Sequence, residues 1–308
     1  MATQKVHFVT GKGGVGKSIF AVAYSYALSA AHRQKKASKA TAQGGPILLA
    51  ELNDKSFYQH YLGLQSVGYT PQTLSGLSND IDICLWNTQD CLREYALHLL
   101  KLETLYKLFF TNPVSKALIN VAPGLQELSL LGKATSGVRK HGPPLDYSEI
   151  VIDAFSTGHF LSLLRAPRAL SEVISFGPMA EQSKQIDKWI RNPEFCHIHL
   201  VTLPELLPIT EAIELFKTLE DEFGIRAHVY VNKVWGVKDS DIKKIPDSAK
   251  NFFQEKILEE KESFELLKKK KIAFSVIPFF PTLNTFELIK EIAEKLPEKL
   301  PDPESDLS

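Results

Sequence analysis

Gly11-Lys12-Gly13-Gly14-Val15-Gly16-Lys17-Ser18 is the stretch on which the reading of the fold turns. It has the spacing of a phosphate-binding loop: Gly, four residues, Gly, Lys, then Ser or Thr. It also lies where such a loop must lie. An apolar strand precedes it (Val6, Phe8, Val9), and a helix follows from Ile19 through Phe20, Ala21, Ala23, Tyr24, Ala27 and Leu28. Glycines let the backbone turn until successive N–H groups point at phosphate oxygens, and the helix N-terminus adds partial positive charge. The candidate nucleotide cradle therefore runs from Gly11 to Ile19, with Lys17 on the terminal phosphates and Ser18 on Mg²⁺. Lys12 carries separate information, because an ordinary phosphate loop needs no charge at its second position. With Lys17 already at its own phosphates, Lys12 is better placed to reach a nucleotide held by a second subunit.

Composition narrows the partners. The 308 residues carry 36 Lys+Arg and 36 Asp+Glu, so no global field favours nucleic acid or an anionic membrane. A hydrophobic content of 44% is ample for a packed core. Three cysteines, an odd number, argue against a disulfide framework and for a reducing compartment. No apolar run approaches the roughly 18 residues that a membrane span requires, and the glycine loop leaves no room before it for a signal-peptide core. A soluble, cytoplasmic protein without a transmembrane segment is the expectation.

Outward from the loop, strands and helices alternate, which predicts a doubly wound, mostly parallel α/β sheet. His32 to Gly45 reads as a solvated loop, and Ile47 to Ala50 as a strand buried on both faces, ending in Glu51, Leu52, Asn53 and Asp54. From Thr88 to Phe110, Leu92, Tyr95, Ala96, Leu99, Leu102, Tyr106 and Phe109 share one helical face. That face suits either core packing or an apolar surface for a client. Ala122, Pro123 and Gly124 break the pattern before a helix at Leu125, Leu128 and Leu131. Ile150 to Ile152 form a third buried strand ending in Asp153, the acid expected to order Mg²⁺ or its water shell. Gly158, in the turn that follows, offers a backbone N–H to a terminal phosphate, and His159 reads as structural. Leu161, Leu163 and Leu164 then start another apolar segment, and helical sequence continues from Pro167 to about Arg191. Strands follow at 197–203, 229–231 and 274–277, with a helix between the first two that stops at Gly224. The expected organisation is one phosphate-loop ATPase domain over 1–308, with a helical subdomain from about 85–145 and 160–195 and a frayed tail at 297–308. Cys84 and Cys91 are too far apart for a zinc clip, and His197 and His199 read as structural.

These motifs resemble the arsenite-transporter, or anion-transporting, ATPases, a family that also includes the ATPases targeting tail-anchored membrane proteins. The resemblance runs from Val6 to about Ile292. Lys12 to Ser18 is similar to the family's deviant phosphate loop with its signature lysine. Asp153-Ala154-Phe155-Ser156-Thr157-Gly158-His159 looks like its Asp-Thr-Ala-Pro-Thr-Gly-His, and Ala122 to Leu128 like its Ala-Pro-Gly-x-x-Glu-Leu. Val201 to Pro204, Thr210-Glu211, Val231-Asn232-Lys233 and Pro278 to Pro281 match further segments. The resemblance implies a dimer holding ATP or ADP with Mg²⁺ at its interface, each Lys12 reaching across. It implies that Asn232 meets the adenine ring beside Pro278 and Phe279, and that hydrolysis drives a surface for a hydrophobic client or membrane-protein partner.

The chain also departs from the family. Where a switch aspartate is expected, this chain has Asn53, which can accept a hydrogen bond from water but cannot take its proton; Asp54 is the candidate displaced water-orienting group. The expected function is a Mg-dependent ATPase switch whose catalytic residues are Lys12, Asn53, Asp54 and Asp153. The alternative is a non-hydrolysing regulatory subunit in a heterodimer with a competent paralogue. A partition-type, DNA-associated ATPase is disfavoured by the balanced charge.

Overall fold

The computed structural model describes residues 4–38, 47–100, 124–142, 145–174, 176–237 and 239–297. Its centre is an 8-stranded sheet. The strands are β1 (Lys5–Thr10), β2 (Ile47–Glu51), β3 (Gln72–Thr73), β4 (Ile81–Leu85), β5 (Glu149–Asp153), β6 (Cys196–Thr202), β7 (His228–Val234) and β8 (Phe274–Pro278). Their order is β3-β4-β2-β5-β1-β6-β7-β8. Every pairing is parallel except β3 with β4. β1 therefore has β5 on one side and β6 on the other, and the chain winds away from it in both directions. Ligands of open α/β sheets bind at the carboxyl end of such a switch point, which is where Gly11 to Ser18 lie.

The strands read as they do because helices cover both faces of the sheet. One face packs against α1 (Lys17–Ser38) and α10 (Thr285–Glu294), through Phe20, Tyr24, Ile289 and Ile292. The other packs against α4 (Leu125–Ala134), α6 (Thr157–Val173), α7 (Pro178–Ile190) and α8 (Leu206–Phe223), through Leu131, Phe160, Ile186 and Phe216. The remaining helices are α2 (Phe57–Tyr61), α3 (Thr88–Leu100), α5 (Ser136–Arg139) and α9 (Asp247–Lys269), with a 3₁₀ turn at Asp239–Lys244. Among the described residues no helix is long and apolar enough to cross a membrane.

Several sequence expectations need correction. Residues from His32 to Ser38 continue α1 rather than forming a loop, because Ala, Arg, Gln and Lys are good helix formers whatever their charge. The segment that starts at Leu161 and continues from Pro167 to Arg191 is two helices rather than one run: α6 begins at Thr157 and contains Pro167, and the break falls where Gly177, with φ of 96°, precedes Pro178. β4 escaped the reading because Asp82 interrupts its apolar run, although Asp82 is tied to Thr73 and Tyr147 by hydrogen bonds of 2.9 Å each. Of the helical face expected over 88–110, α3 accounts for the part to Leu100. Leu102, Tyr106, Phe109, Ala122, Pro123 and the tail from 298 lie outside the described residues.

Candidate functional site

The loop between β1 and α1 is shaped by contacts that only glycine permits. Gly11 has φ of 145°, and a Cβ there would lie 2.1 Å from the carbonyl oxygen of Val201. Gly16 has φ of 94°, and its Cβ would come within 2.5 Å of Asn232 Nδ2. That amide donates to the Val15 carbonyl at 2.9 Å, bracing the cradle from β7. β7 reaches it through an irregularity between Val231 and Val234, with Lys233 in the left-handed region at φ of 58°. Bulges of this kind re-aim side chains next to functional sites. On the other side, Thr10 Oγ1 donates to the Phe155 carbonyl at 2.8 Å and ties the loop after β1 to the loop after β5.

Lys17 Nζ donates to the Lys12 carbonyl at 3.1 Å. Burial lowers the pKa of Lys17, and the charge of Asp153 partly offsets that effect. A phosphate beside Lys17 would relieve the same desolvation.

Two acids close the site. Glu51 and Asp153 end adjacent parallel strands and stand opposite each other in register. Both are buried. Burial pushes the Asp153 carboxyl up to about 6 against hydrogen bonds from Ser18 and Tyr58 and the charge of Lys17. Burial likewise raises Glu51, against hydrogen bonds from Ser56, Phe57, Tyr58 and Asn53. Glu51 Oε2 accepts from Ser56 Oγ at 2.6 Å, and Oε1 from the Phe57 N–H at 2.7 Å. The Tyr58 hydroxyl shares its proton between the Ser18 carbonyl at 2.9 Å and Asp153 Oδ2 at 3.0 Å. Ser18 and Asp153 thus offer hydroxyl and carboxylate oxygens side by side, a donor set suited to Mg²⁺ with its retained waters. Among the described residues no three His, Cys, Asp or Glu side chains converge on a metal; one acid and one hydroxyl is all this type of site asks of the protein.

The other expected residues distribute unevenly. Lys12 Nζ makes an ion pair with Glu211 Oε1 at 2.7 Å, within its own chain. Gly158 lies in the first turn of α6, and the His159 ring stacks on Phe155 at 3.8 Å. Phe279 donates its N–H to the Val234 carbonyl at 2.8 Å, and its ring stacks on Trp235 at 4.4 Å, beside the strand end that carries Asn232. Asn53 and Asp54 are exposed, and Asn53 Oδ1 accepts from the Asp54 N–H at 2.9 Å. The structure brings Lys17, Ser18, Asp153, Gly16 and Asn232 together and leaves Asn53 and Asp54 on the surface. Tyr58 and Trp235 were missed by sequence reasoning. The burial of Tyr58 and the stacking of the exposed Trp235 depend on partners far along the chain, and no local spacing signals them.

No protein-family model matches the chain. It is 28% identical over 218 residues to ATPase BagA of Mycobacterium tuberculosis, a match covering 70% of this chain and 61% of BagA. It is 26% identical over 232 residues to an arsenical pump-driving ATPase of Escherichia coli, covering 73% of this chain and 34% of that one. The match thus takes in less than two thirds of either relative. An α/β sheet whose carboxyl end carries Gly11 to Ser18 facing Asp153, together with these matches, supports the resemblance of the chain to the arsenical pump-driving ATPases.

Proposed function

We propose that the chain binds ATP with Mg²⁺ and hydrolyses it as a dimeric nucleotide switch, coupling the nucleotide to a hydrophobic client or a membrane-protein partner. The observation that carries this reading is the convergence of Lys17, Ser18 and the buried Asp153 on the glycine loop. In it, Lys17 and the N–H groups from Gly11 to Ile19 hold the phosphates, and the Gly158 N–H adds to them from α6. Ser18 and Asp153 hold Mg²⁺, which when bound neutralises charge on the phosphates. Asn232, Pro278 and Phe279 take the base. Lys12 exchanges Glu211 for the nucleotide of the opposite subunit when the dimer closes. Free, buried cysteines fit work in a reducing cytoplasm. Lys17→Ala should weaken binding of a fluorescent ATP analogue by about 10- to 100-fold, the scale of one hydrogen bond to a charged group. Unchanged affinity in that variant would defeat the site assignment.

A second reading, a regulatory subunit that binds ATP and leaves hydrolysis to a paralogue, is favoured by one observation: the position expected to orient the attacking water carries Asn53, and it is exposed. Turnover by the purified chain that Lys17→Ala abolishes would exclude it. Turnover only after mixing with the paralogue would establish it. A large gain in Asn53→Asp alone would identify the amide as the sole defect.

A further inference from the structure

The segment after β2 touches the candidate metal site through a side chain that the loop spacing does not predict. Tyr58 is fully buried, at 0% exposure, and its hydroxyl lies against both Ser18, through its carbonyl, and Asp153 Oδ2. A phenol has one proton to donate, so it is shared between two acceptors that belong to different elements. The helix carrying Tyr58 is a single short turn, far too short to persist without support. Its support is Glu51, whose carboxylate takes the Ser56 hydroxyl and the Phe57 N–H, while Ser56 Oγ accepts from the Gln59 N–H at 3.2 Å. The segment from Ser56 to Tyr61 is thus strapped by its first three residues, Ser56 and Phe57 to Glu51 and the Tyr58 hydroxyl to Asp153, two acids opposite each other on neighbouring strands. The exposed tip at Asn53, Asp54 and Lys55 precedes this strap and touches it through the hydrogen bond from Asn53 to Glu51.

We propose that Tyr58 is a latch on the metal-binding carboxylate. Its hydroxyl holds Asp153 Oδ2 in the metal-free protein and gives it up when Mg²⁺ and nucleotide engage Ser18 and Asp153, loosening the Ser56–Tyr61 segment. Occupancy of the site is then reported through Tyr58 rather than through Asn53. The latch rests on the nucleotide reading above and adds to it a positioning residue and a moving part. Its physical basis is competition: an oxygen lone pair of a buried carboxylate committed to a phenol is less available to a metal or to a metal-bound water.

The test titrates Mg²⁺ against a fixed concentration of fluorescent ADP analogue, for the wild-type chain and for Tyr58→Phe. Tyr58→Phe should bind the analogue without metal as wild type does, and should reach half-saturation at about 10-fold or more lower Mg²⁺, the scale of removing one competing hydrogen bond to a charged group. Half-saturation that is unchanged or shifted to higher Mg²⁺ overturns the latch, making Tyr58 a fixed anchor. Hydrogen exchange on the wild-type chain decides the matter even if the variant folds poorly. The amides of 57–61 should exchange faster when Mg²⁺ and ADP are added together; unchanged or slower exchange overturns the proposal. Failure of the wild-type chain to bind the analogue at all would be a different result, defeating the nucleotide reading and the latch with it.

Discussion

At the scale of single residues, the glycines of the loop are not equivalent. Gly11 runs so close to β6 that a methyl group would meet a backbone carbonyl, which cannot swing aside as a side chain would. Gly13 has nothing within 4 Å of the place a Cβ would take. Gly11→Ala should therefore cost about 2–3 kcal/mol of folding stability by urea denaturation, whereas Gly13→Ala should stay within about 0.5 kcal/mol. Equal losses in the two variants would show that the contact with Val201 does not govern the loop. The sequence made the loop's chemistry legible, since lysine, serine and glycine at these spacings have little other use. It did not separate Gly11 from Gly13, because the difference lies in Val201, brought alongside only when β1 and β6 pair.

At the scale of elements, the amino ends of the strands hold a histidine cluster on the side covered by α1 and α10. Here His7 stacks on His197 at 5.0 Å and pairs with His199 at 3.1 Å, and His228 lies against His199. Lys5, Tyr24, His32, Glu149 and Tyr230 complete the surroundings, beside a cavity of about 650 Å³. Burial lowers His197 to about 3 and His228 to about 4, with His7 adding charge repulsion, and it holds His199 well below its ordinary value. Burial alone would raise Glu149, but hydrogen bonds from His32 and His7 prevail and hold it at about 2. Both kinds of shift act in one direction. At this cluster the unfolded chain takes up protons that the folded chain refuses, so the stability the cluster contributes is full above about pH 6.5 and is lost as pH falls toward 4 and below, a larger change than the opposite one from the raised Asp153 and Glu51. The urea midpoint should fall between pH 7 and pH 5, and His197→Phe should flatten that fall; an equally steep fall in the variant would clear His197 of the effect. Reading His197 and His199 as structural was open to sequence. Their meeting with His7 and His228 was not, because three strands had to align first. A simpler element-level expectation concerns α10. Asn284 Oδ1 accepts from the Phe286 and Glu287 N–H groups at 3.0 and 3.2 Å, so Asn284→Ala should cost about 1 kcal/mol in the same measurement.

At the scale of the whole molecule, the decisive matter is where Lys12 goes. Within one chain it is held by Glu211, an ion pair about one-third exposed on each side. Such a pair is worth at most about 1 kcal/mol, so a nucleotide's phosphates on a second subunit can displace it. Glu211→Gln should release Lys12 and increase the dimer fraction at a given ATP concentration by a few-fold in analytical ultracentrifugation. Lys12→Ala should abolish the ATP-dependent part of dimerisation while leaving nucleotide binding by the single chain largely intact. A monomer at every ATP concentration would overturn the dimeric switch.

By itself the sequence determined the parallel core of the sheet, the loop and the acid at the end of the third strand it showed. Short continuous apolar runs bounded by turn signals fit strands covered on both faces, and the phosphate-loop spacing is local chemistry carried by one short segment. Only the tertiary structure decided which residues stand around that loop. It put Glu51 and Tyr58 against Asp153, left Asn53 and Asp54 in solvent, bent β7 so that Asn232 braces Val15, and gave Lys12 a partner in Glu211. The physical reason is that such contacts are set by strand register, by a bulge and by buried hydroxyls seeking acceptors. Each of these depends on residues far apart in the chain that folding alone brings together.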